Sequence, residues 1–436
     1  MNNWFGKTKS RFSIVPLLEV ARLGTGHTPS REKEEYWVNC DIPWVTVEDI
    51  RKHGLFNFKP LEETTQHISK LGLDNSAAVL HPAGTVMLSR TASIGLSCIT
   101  GKDMATTQAF VTWTANQQKL EPRYLHAALK VLTEQYEFLA YGATHLTIYF
   151  PDIKTLKIPL PSLREQILIA DFLEEETSKI NDLIQQQEKL IELLNENRKS
   201  IITNAVSGRL DKNIKMRDTG ILWLPEIPEH WEIKKIKQIS YLKGRVGWKG
   251  LSSDEYLETG YAHLVTGTDF KQKFIDWKNC HCIDKERYED DPFIQLQEDD
   301  LLITKDGTIG KLAIVKNLSG PACLNSGIFL LRPRNSYTTD FMYWVLSSDI
   351  FKLFCDLSSM GSTIQHLYQN VFEKFTMGLP SIEEQKHIVQ YIEDKTLTID
   401  NLISKAEESI RLLKERLVSL ISSAVVGEAT VYKENQ

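Results

Sequence analysis

Several things are missing from this chain. No run of 18 apolar residues occurs among its 436 residues, which excludes a membrane-spanning helix on hydropathy. The opening MNNWFGKTKSRFSIVPLLEV lacks the apolar core of a secretory leader, so a cytoplasmic protein is expected. Cysteine is scarce: Cys40, Cys98, Cys280, Cys282, Cys323 and Cys355 form no C-x-x-C pair. A disulfide scaffold and a zinc ribbon are therefore not expected, and Cys280-His281-Cys282 lacks the second pair that a metal site needs.

Catalytic motifs are missing too. Gly307-Thr308-Ile309-Gly310-Lys311 has the wrong spacing for a phosphate-binding loop, and Leu312 stands where Ser or Thr belongs. None of the 11 histidines forms an H-x-x-x-H pair. Asp290-Asp291-Pro292-Phe293 has Asp where an amino-methyltransferase motif has its first proline, with no glycine-rich cofactor motif upstream. Glu393-Asp394-Lys395 has nuclease-like spacing but falls on a heptad helix, where it reads as a solvated face. No catalytic residue and no metal ligand is assigned, and the chain does not read as an enzyme.

What is present is a repeat. Pro161–Gly208 and Pro380–Gly427 align without a gap at an offset of 219, with 20 of 48 positions identical. The repeat extends outward: Phe12, Ile14, Leu17, Val20 and Leu23 match Trp231, Ile233, Ile236, Ile239 and Leu242. Val45–Asp49 answers Val265–Asp269, and Gly84–Gly95 answers Leu301–Gly310. A long repeat at half the chain length means an internal duplication. The order is unit, helix, unit, helix.

The fold class expected is α+β: two globular domains separated by two long antiparallel helices, with an internal pseudo-twofold repeat. The boundaries are 1–160 for the first domain, 161–208 for the first spacer helix, and 209–379 for a linker plus the second domain. The second spacer helix takes 380–428, with a tail at 429–436. Short β-like runs fall at Thr85–Leu88, Ala109–Trp113, Leu301–Thr304 and Ile328–Arg332, and amphipathic helices at 122–139 and 339–355. Asp211–His230, with Gly220, Pro225 and Pro228, is expected to be an extended connector.

Both spacer helices carry a heptad seam: Ile180, Ile184, Ile191, Leu194 and Ile201 in the first, Ile399, Ile403, Ile410, Leu413 and Leu420 in the second. Ser162 and Ser381 are candidate N-caps with Glu165 and Glu384 completing capping boxes, and Gly208 and Gly427 mark the ends. A seam of this length makes a rod on the order of 50 Å, about 15 base pairs of duplex. The net charge of −6 lies wholly here: residues 162–210 and 381–429 each hold 6 basic against 9 acidic side chains. These helices suit a protein-facing surface better than a phosphate-facing one.

Paired loops carry the binding signal. Gly24–Arg31 offers Thr28, Ser30 and Arg31, and its counterpart Lys243–Gly250 offers Arg245, Trp248 and Lys249. Thr46 answers Thr266 and Thr268. Arg90, Thr91 and Ser93 answer Lys305 and Thr308, and Thr144 and His145 answer Thr363. Small polar residues interleaved with cations suit phosphate positioning and base-edge hydrogen bonds, and Arg245 has the geometry to fork onto a guanine. The third pair of loops, Gly142–His145 and Gly361–Thr363, is equally compatible with a plain helix-entry turn.

The two P-S-[LI]-x-E-Q starts, R-D-T-G-I-L-W-L-P-E-I-P-E-H-W-E at Arg217–Glu232, G-H-T-P-S at Gly26–Ser30, G-R-V-G-W-K-G at Gly244–Gly250 and both S/T-I-G loops resemble the specificity subunit of type I restriction-modification systems. The resemblance covers nearly the whole chain. Where that family often has an N-Q-G-like triplet, this chain has Thr107-Gln108-Ala109 and Asn325-Ser326-Gly327. The resemblance implies a non-catalytic subunit whose two target-recognition domains each read half of an asymmetric, bipartite site on double-stranded DNA. Its helices would set the gap and dock two modification subunits. No cofactor would be bound by this chain: S-adenosylmethionine would belong to the modification subunits, ATP and Mg²⁺ to restriction subunits that join the complex, and no membrane would be involved. Competing readings are the specificity subunit of a related type II methyltransferase-nuclease system, a coiled-coil scaffold for proteins, and an enzyme with an unrecognised site.

Overall fold

A computed structural model describes residues 10–142, 146–211, 213–245, 251, 255–358 and 366–429. It divides into two units, Met1–Lys189 with Ala406–Gln436, and Leu190–Lys405. Each unit thus holds one globular domain, the first part of one long helix and the last part of the other.

In the first unit, Ala21–Thr25, Phe110–Ala115, Val86–Ser89 and Ser97–Ile99 form, in that order, a four-stranded antiparallel sheet. Side chains alternate across a strand, and here both faces are covered. Val86, Leu88, Val111 and Trp113 pack beneath the helix Pro122–Val131, while Met87, Cys98 and Phe110 face Val45 and Ile50. That two-sided burial is why Val86-Met87-Leu88 reads as a continuous apolar run. A small second sheet pairs Ile42–Val45 antiparallel to His67–Ile68 and parallel to Ala105–Thr106.

The second unit repeats this plan by itself. Ser240–Gly244, Ile328–Pro333, Leu301–Thr304 and Leu312–Ile314 are the four corresponding strands, extended by Phe274–Ile275 and Phe270–Lys271. Leu301 and Ile303 face one core and Leu302 the other. Ala262–Val265 again pairs parallel with Ala322–Leu324. Even the strand leading into each domain repeats: Ile14 pairs with Pro159 and Ile233 with Gly378, both partners 219 residues on.

The long helices run Leu163–Val206 and Ile382–Val426. Ser162 makes the full capping box: its backbone N–H donates to Glu165 Oε2 at 3.0 Å and its hydroxyl accepts from the Glu165 N–H at 3.3 Å. Ser381 makes half of one, accepting from Glu384 N at 3.3 Å, because the Glu384 carboxylate accepts instead from Trp231 Nε1 at 2.9 Å. The helices stop before Gly208 (φ +76°) and Gly427 (φ +83°), where an added Cβ would strike Pro228 and Phe12 respectively.

The repeated glutamine of P-S-x-x-E-Q explains how each helix seats on its domain. Gln166 is fully buried; its amide donates to the Lys119 and Pro161 carbonyls at 3.0 Å and accepts from Glu121 N at 2.9 Å. Gln385 repeats the arrangement with the Ser336 and Pro380 carbonyls and Thr338 N. Apart from the proline carbonyl of the motif itself, neither partner set is visible in the local sequence.

Within the first unit, Ile169 and Leu173 share a core with Ile421, Ala424 and Val425, and Ile180 and Ile184 pack with Leu417 and, half-buried, Leu413, Ile410 and Leu420. Residue numbers rise along one helix as they fall along the other, so the segments are antiparallel. In the second unit Ile202, Ala205 and Val206 pack with Ile388, Val389 and Ile392, and Arg198 reaches Asp400 at 2.9 Å. Ile399 is buried; Ile191, Leu194, Ile201 and Ile403 are half-buried. At the domain end Ile202, not Ile201, faces the core: a straight helix drifts from a strict heptad.

Two expectations about elements are corrected, for the helices at 122–139 and 339–355 and for the connector. The helices at 122–139 and 339–355 are each broken in two, Pro122–Val131 with Thr133–Leu139 and Thr339–Leu346 with Asp349–Ser358. The segment 12–23 is two strands joined by a short 3-10 turn. The connector is a β-hairpin, Met216–Ile221 with Leu224–Pro228, whose turn follows Gly220 at φ +67°. Among the described residues no helix is long and apolar enough to cross a membrane.

Candidate nucleic-acid interface

Sheet register gathers the loops. Thr25 pairs with Val111 and Ser89 with Phe110, so the loops after Thr25 and after Ser89 and the triplet before Phe110 leave one end of the first sheet. Val45 pairs with Thr106, which brings Thr46 to the same end. In the second unit Gly244 pairs with Phe329, Thr304 with Ile328 and Val265 with Leu324, which collects Arg245, Lys305, Thr266 and Asn325 in the same way.

The triplets lie between these loops. In the first unit His27 N donates to Thr106 O at 3.0 Å and Thr28 Oγ1 to Gln108 Oε1 at 2.7 Å, while Arg90 N donates to Ala109 O at 2.8 Å. A side chain at Gly26 would overlap the Thr106 carbonyl at 2.1 Å, so only glycine lets the first loop lie this close. In the second unit Asn325 N donates to Val265 O at 2.9 Å, its amide to Tyr256 OH at 2.8 Å, and Lys305 N to Gly327 O at 2.8 Å.

The second loops meet the chain that follows the third. Ala92 N donates to Leu146 O and Ile148 N to Arg90 O, both at 2.9 Å; Leu367 N donates to Lys305 O at 3.0 Å. The side chains here differ between units. Arg90 stacks over Phe150 at 5.1 Å, with burial lowering its basicity, and Thr91 bridges to Thr147. Ser93 accepts from Arg51 Nη2 at 2.8 Å. Lys305 lies 3.4 Å from Asp306, which also pairs with His366, whose ring packs 4.4 Å from Tyr368. Thr308 is exposed, and its carbonyl accepts from Thr304 Oγ1.

Several candidates have other occupations. Arg245 is only 3% exposed; its Nε donates to Leu324 O at 3.0 Å and Nη2 lies 3.5 Å from Cys323 Sγ. The expected fork onto guanine is corrected to a buried brace, because the guanidinium faces the sheet. Thr46 caps the helix Val47–His53, donating to Asp49 Oδ2 at 2.6 Å, and Thr266 closes the matching turn on Asp269 at 2.9 Å, with Thr268 at 2.7 Å. Both threonine hydroxyls serve turns rather than solvent. Ser30 and Arg31 are exposed; the Ser30 carbonyl accepts from Trp37 Nε1 and Arg31 lies 5.3 Å over the Trp37 ring. Thr144, His145, Trp248, Lys249 and Thr363 lie outside the described residues.

Residue types alone did not single out Arg51, Gln108, Tyr256, Asn325, Asp306 or His366. Arg51 sits on a helix face, and the others gain meaning only from the strand register. No group of three His, Cys, Asp or Glu suited to a metal occurs among the described residues. Burial pushes the Cys98, Cys280 and Cys355 thiols up to about 12 and Cys323 to about 11, which leaves them protonated and unreactive at neutral pH. Asp291 caps a 3-10 turn, and Glu393 accepts from Lys273 at 2.7 Å.

A family model described as the type I restriction modification DNA specificity domain matches residues 9–193 and again 228–410. The chain is 26% identical over 270 residues to the type I restriction enzyme MjaIX specificity subunit of Methanocaldococcus jannaschii, a match covering 60% of this chain and 60% of that one. It therefore spans about three fifths of that curated relative's length. Two solved structures share the fold. One, from work on complex assembly and conformational transition of the type I R-M system, gives a TM-score of 0.68 at 18% identity over 96% of this chain and 98% of that one. The other, the HsdS subunit from Thermoanaerobacter tengcongensis, gives 0.51 at 17% identity over 98% and 100%.

Proposed function

This chain belongs to the type I restriction-modification DNA specificity domain family, and from that premise we propose that it is a non-catalytic DNA-recognition subunit. Each globular domain reads one half of an asymmetric bipartite site with the loops at one end of its sheet. The observation that carries this reading is the doubled loop assembly with diverged side chains. The backbone scaffold is the same in both units, but Arg90, Thr91 and Thr147 in one stand where Lys305, Asp306 and His366 stand in the other. A shared scaffold with different base-facing groups is what two different half-sites require.

The helices carry the spacing. At about 1.5 Å per residue, 44 and 45 residues make helices about 66 Å long. Their acidic faces and their exposed Leu183, Leu193, Leu402 and Leu412 suit partner proteins better than phosphate. The partners would be two modification subunits holding S-adenosylmethionine and flipping out adenine for methylation, joined by restriction subunits using ATP and Mg²⁺. The protein would act in the cytoplasm, where its DNA lies.

Domain exchange tests the reading. With residues 1–160 moved into a relative, methylome sequencing should show one changed half-site and one unchanged. Change in both halves, or in neither, would overturn it.

A further inference from the structure

The two domains have diverged almost everywhere that a duplex could be read, so residues that did not diverge are informative. Across 122–160 and 341–379 the identical pairs are Tyr124/Tyr343, Gly142/Gly361, Thr144/Thr363, Tyr149/Tyr368 and Leu160/Leu379. Tyr124 is buried and its hydroxyl donates to Pro159 O; Tyr343 and Leu160 are half-buried and Leu379 is buried. Core packing accounts for these. Among the described residues, Tyr149/Tyr368 is the one identical pair of these whose members are both exposed, at 54% and 59%.

No structural contact common to both tyrosines would preserve them: Tyr368 packs against His366, but Thr147 stands at the matching place beside Tyr149. Each stands at the N-cap position of a four-residue helix, Phe150–Ile153 or Gln369–Phe372, yet makes no side-chain capping bond. Each is also held in one place relative to the recognition loops. The residue before it, Ile148 or Leu367, donates its N–H to the carbonyl of Arg90 or Lys305, at 2.9 and 3.0 Å. Around them almost everything changed: Thr91 to Asp306, Thr147 to His366, Phe150 to Gln369. A residue retained amid that divergence answers to something common to both half-sites. Two half-sites of different sequence share the sugar-phosphate backbone and, beyond it, only the adenine that the modification subunits rather than this chain would take out of the stack.

We infer that Tyr149 and Tyr368 are sequence-independent anchors, each phenol donating a hydrogen bond to a backbone phosphate oxygen of its half-site. The inference rests on the DNA-recognition reading above. It divides the labour within each domain: the tyrosine fixes where the duplex lies against the loop, and the diverged neighbours at 90–91 and 147, or 305–306 and 366, read what passes there. A neutral hydroxyl suits this role, since it positions a phosphate without displacing the counterions that a lysine would release.

The test uses the assembled complex of this chain with its modification subunits. Tyr149→Phe, Tyr368→Phe and the two alanine variants are compared with the parent for binding to its target duplex and to duplexes with either half-site scrambled. Removing the hydroxyl alone, at an exposed position where folding is not at stake, should weaken binding about tenfold at either tyrosine, the loss of one hydrogen bond to a charged group. The loss should be similar on all duplexes, and the methylated sequence should stay the same. A methylphosphonate at the contacted position should weaken the parent equally and add nothing to the Phe variant. A changed methylated sequence would overturn the inference by making the tyrosines base readers. Unchanged DNA affinity with loss of a modification subunit on co-purification would also overturn it, by assigning them to a protein contact. Failure of the parent complex to prefer its target would instead sink the recognition reading itself.

Discussion

Arg245 and His126 show how far burial changes what a residue type can do. Arg245 lies in a glycine-rich basic loop, yet its guanidinium is spent on the Leu324 carbonyl and the Cys323 sulfur. Arg245→Ala should therefore lower stability by about 1–3 kcal/mol, the cost of leaving a buried acceptor without its donor. Denaturant melts should register the loss while methylome sequencing finds the target unchanged. His126 is fully buried, edge-on to Phe58 at 5.1 Å, and neither ring nitrogen has a hydrogen-bond partner among the described residues. Burial holds it well below the ordinary histidine range, so it is neutral when folded and takes a proton when unfolded. Stability is then full above the unfolded value of about 6.5 and falls as pH drops below it. Urea midpoints at pH 7.5 and 5.5 should differ less in His126→Leu than in the parent.

At the scale of elements, the docking of each long helix turns on one glutamine. Gln166 and Gln385 each satisfy three backbone groups at the helix entrance. Replacing either with alanine should cost about 2–4 kcal/mol, with hydrogen exchange rising at 119–121 for Gln166→Ala and at 336–338 for Gln385→Ala. The glutamine repeat was legible as a motif, but its meaning was not, since two of the three partners of each glutamine lie 45 to 49 residues away in sequence. The connector hairpin was missed for a related reason. Its second strand carries Pro225 and Pro228 and its turn an exposed Leu222, and the hairpin is held by tertiary contacts such as the 2.9 Å bond from Trp223 Nε1 to Thr376 O.

For the whole molecule, the recognition reading makes the helices a spacer that can be lengthened. Matched seven-residue insertions in both helices keep the heptad register and add about 10 Å, or about three base pairs. The methylated sequence should then show a gap about three base pairs longer between two unaltered half-sites. A gap of the original length would separate the helices from the spacing and leave them as a docking surface alone.

Duplication, the order of unit and helix, the strands Leu301–Thr304 and Ile328–Pro333, and both helix ends were determined by the sequence, because they depend on local patterns: a fixed offset, period-2 and heptad spacing, a glycine at a stop. The loops that matter were legible as compositions. Which of their side chains face outward was decided only by the fold. Burial turned Arg245 inward, strand register set Gln108 and Asn325 between loops far apart in sequence, and exposure distinguished Tyr149 and Tyr368 from the buried tyrosines. Side-chain direction depends on which strands lie side by side, and that pairing joins residues such as Thr25 and Val111 that no local pattern connects.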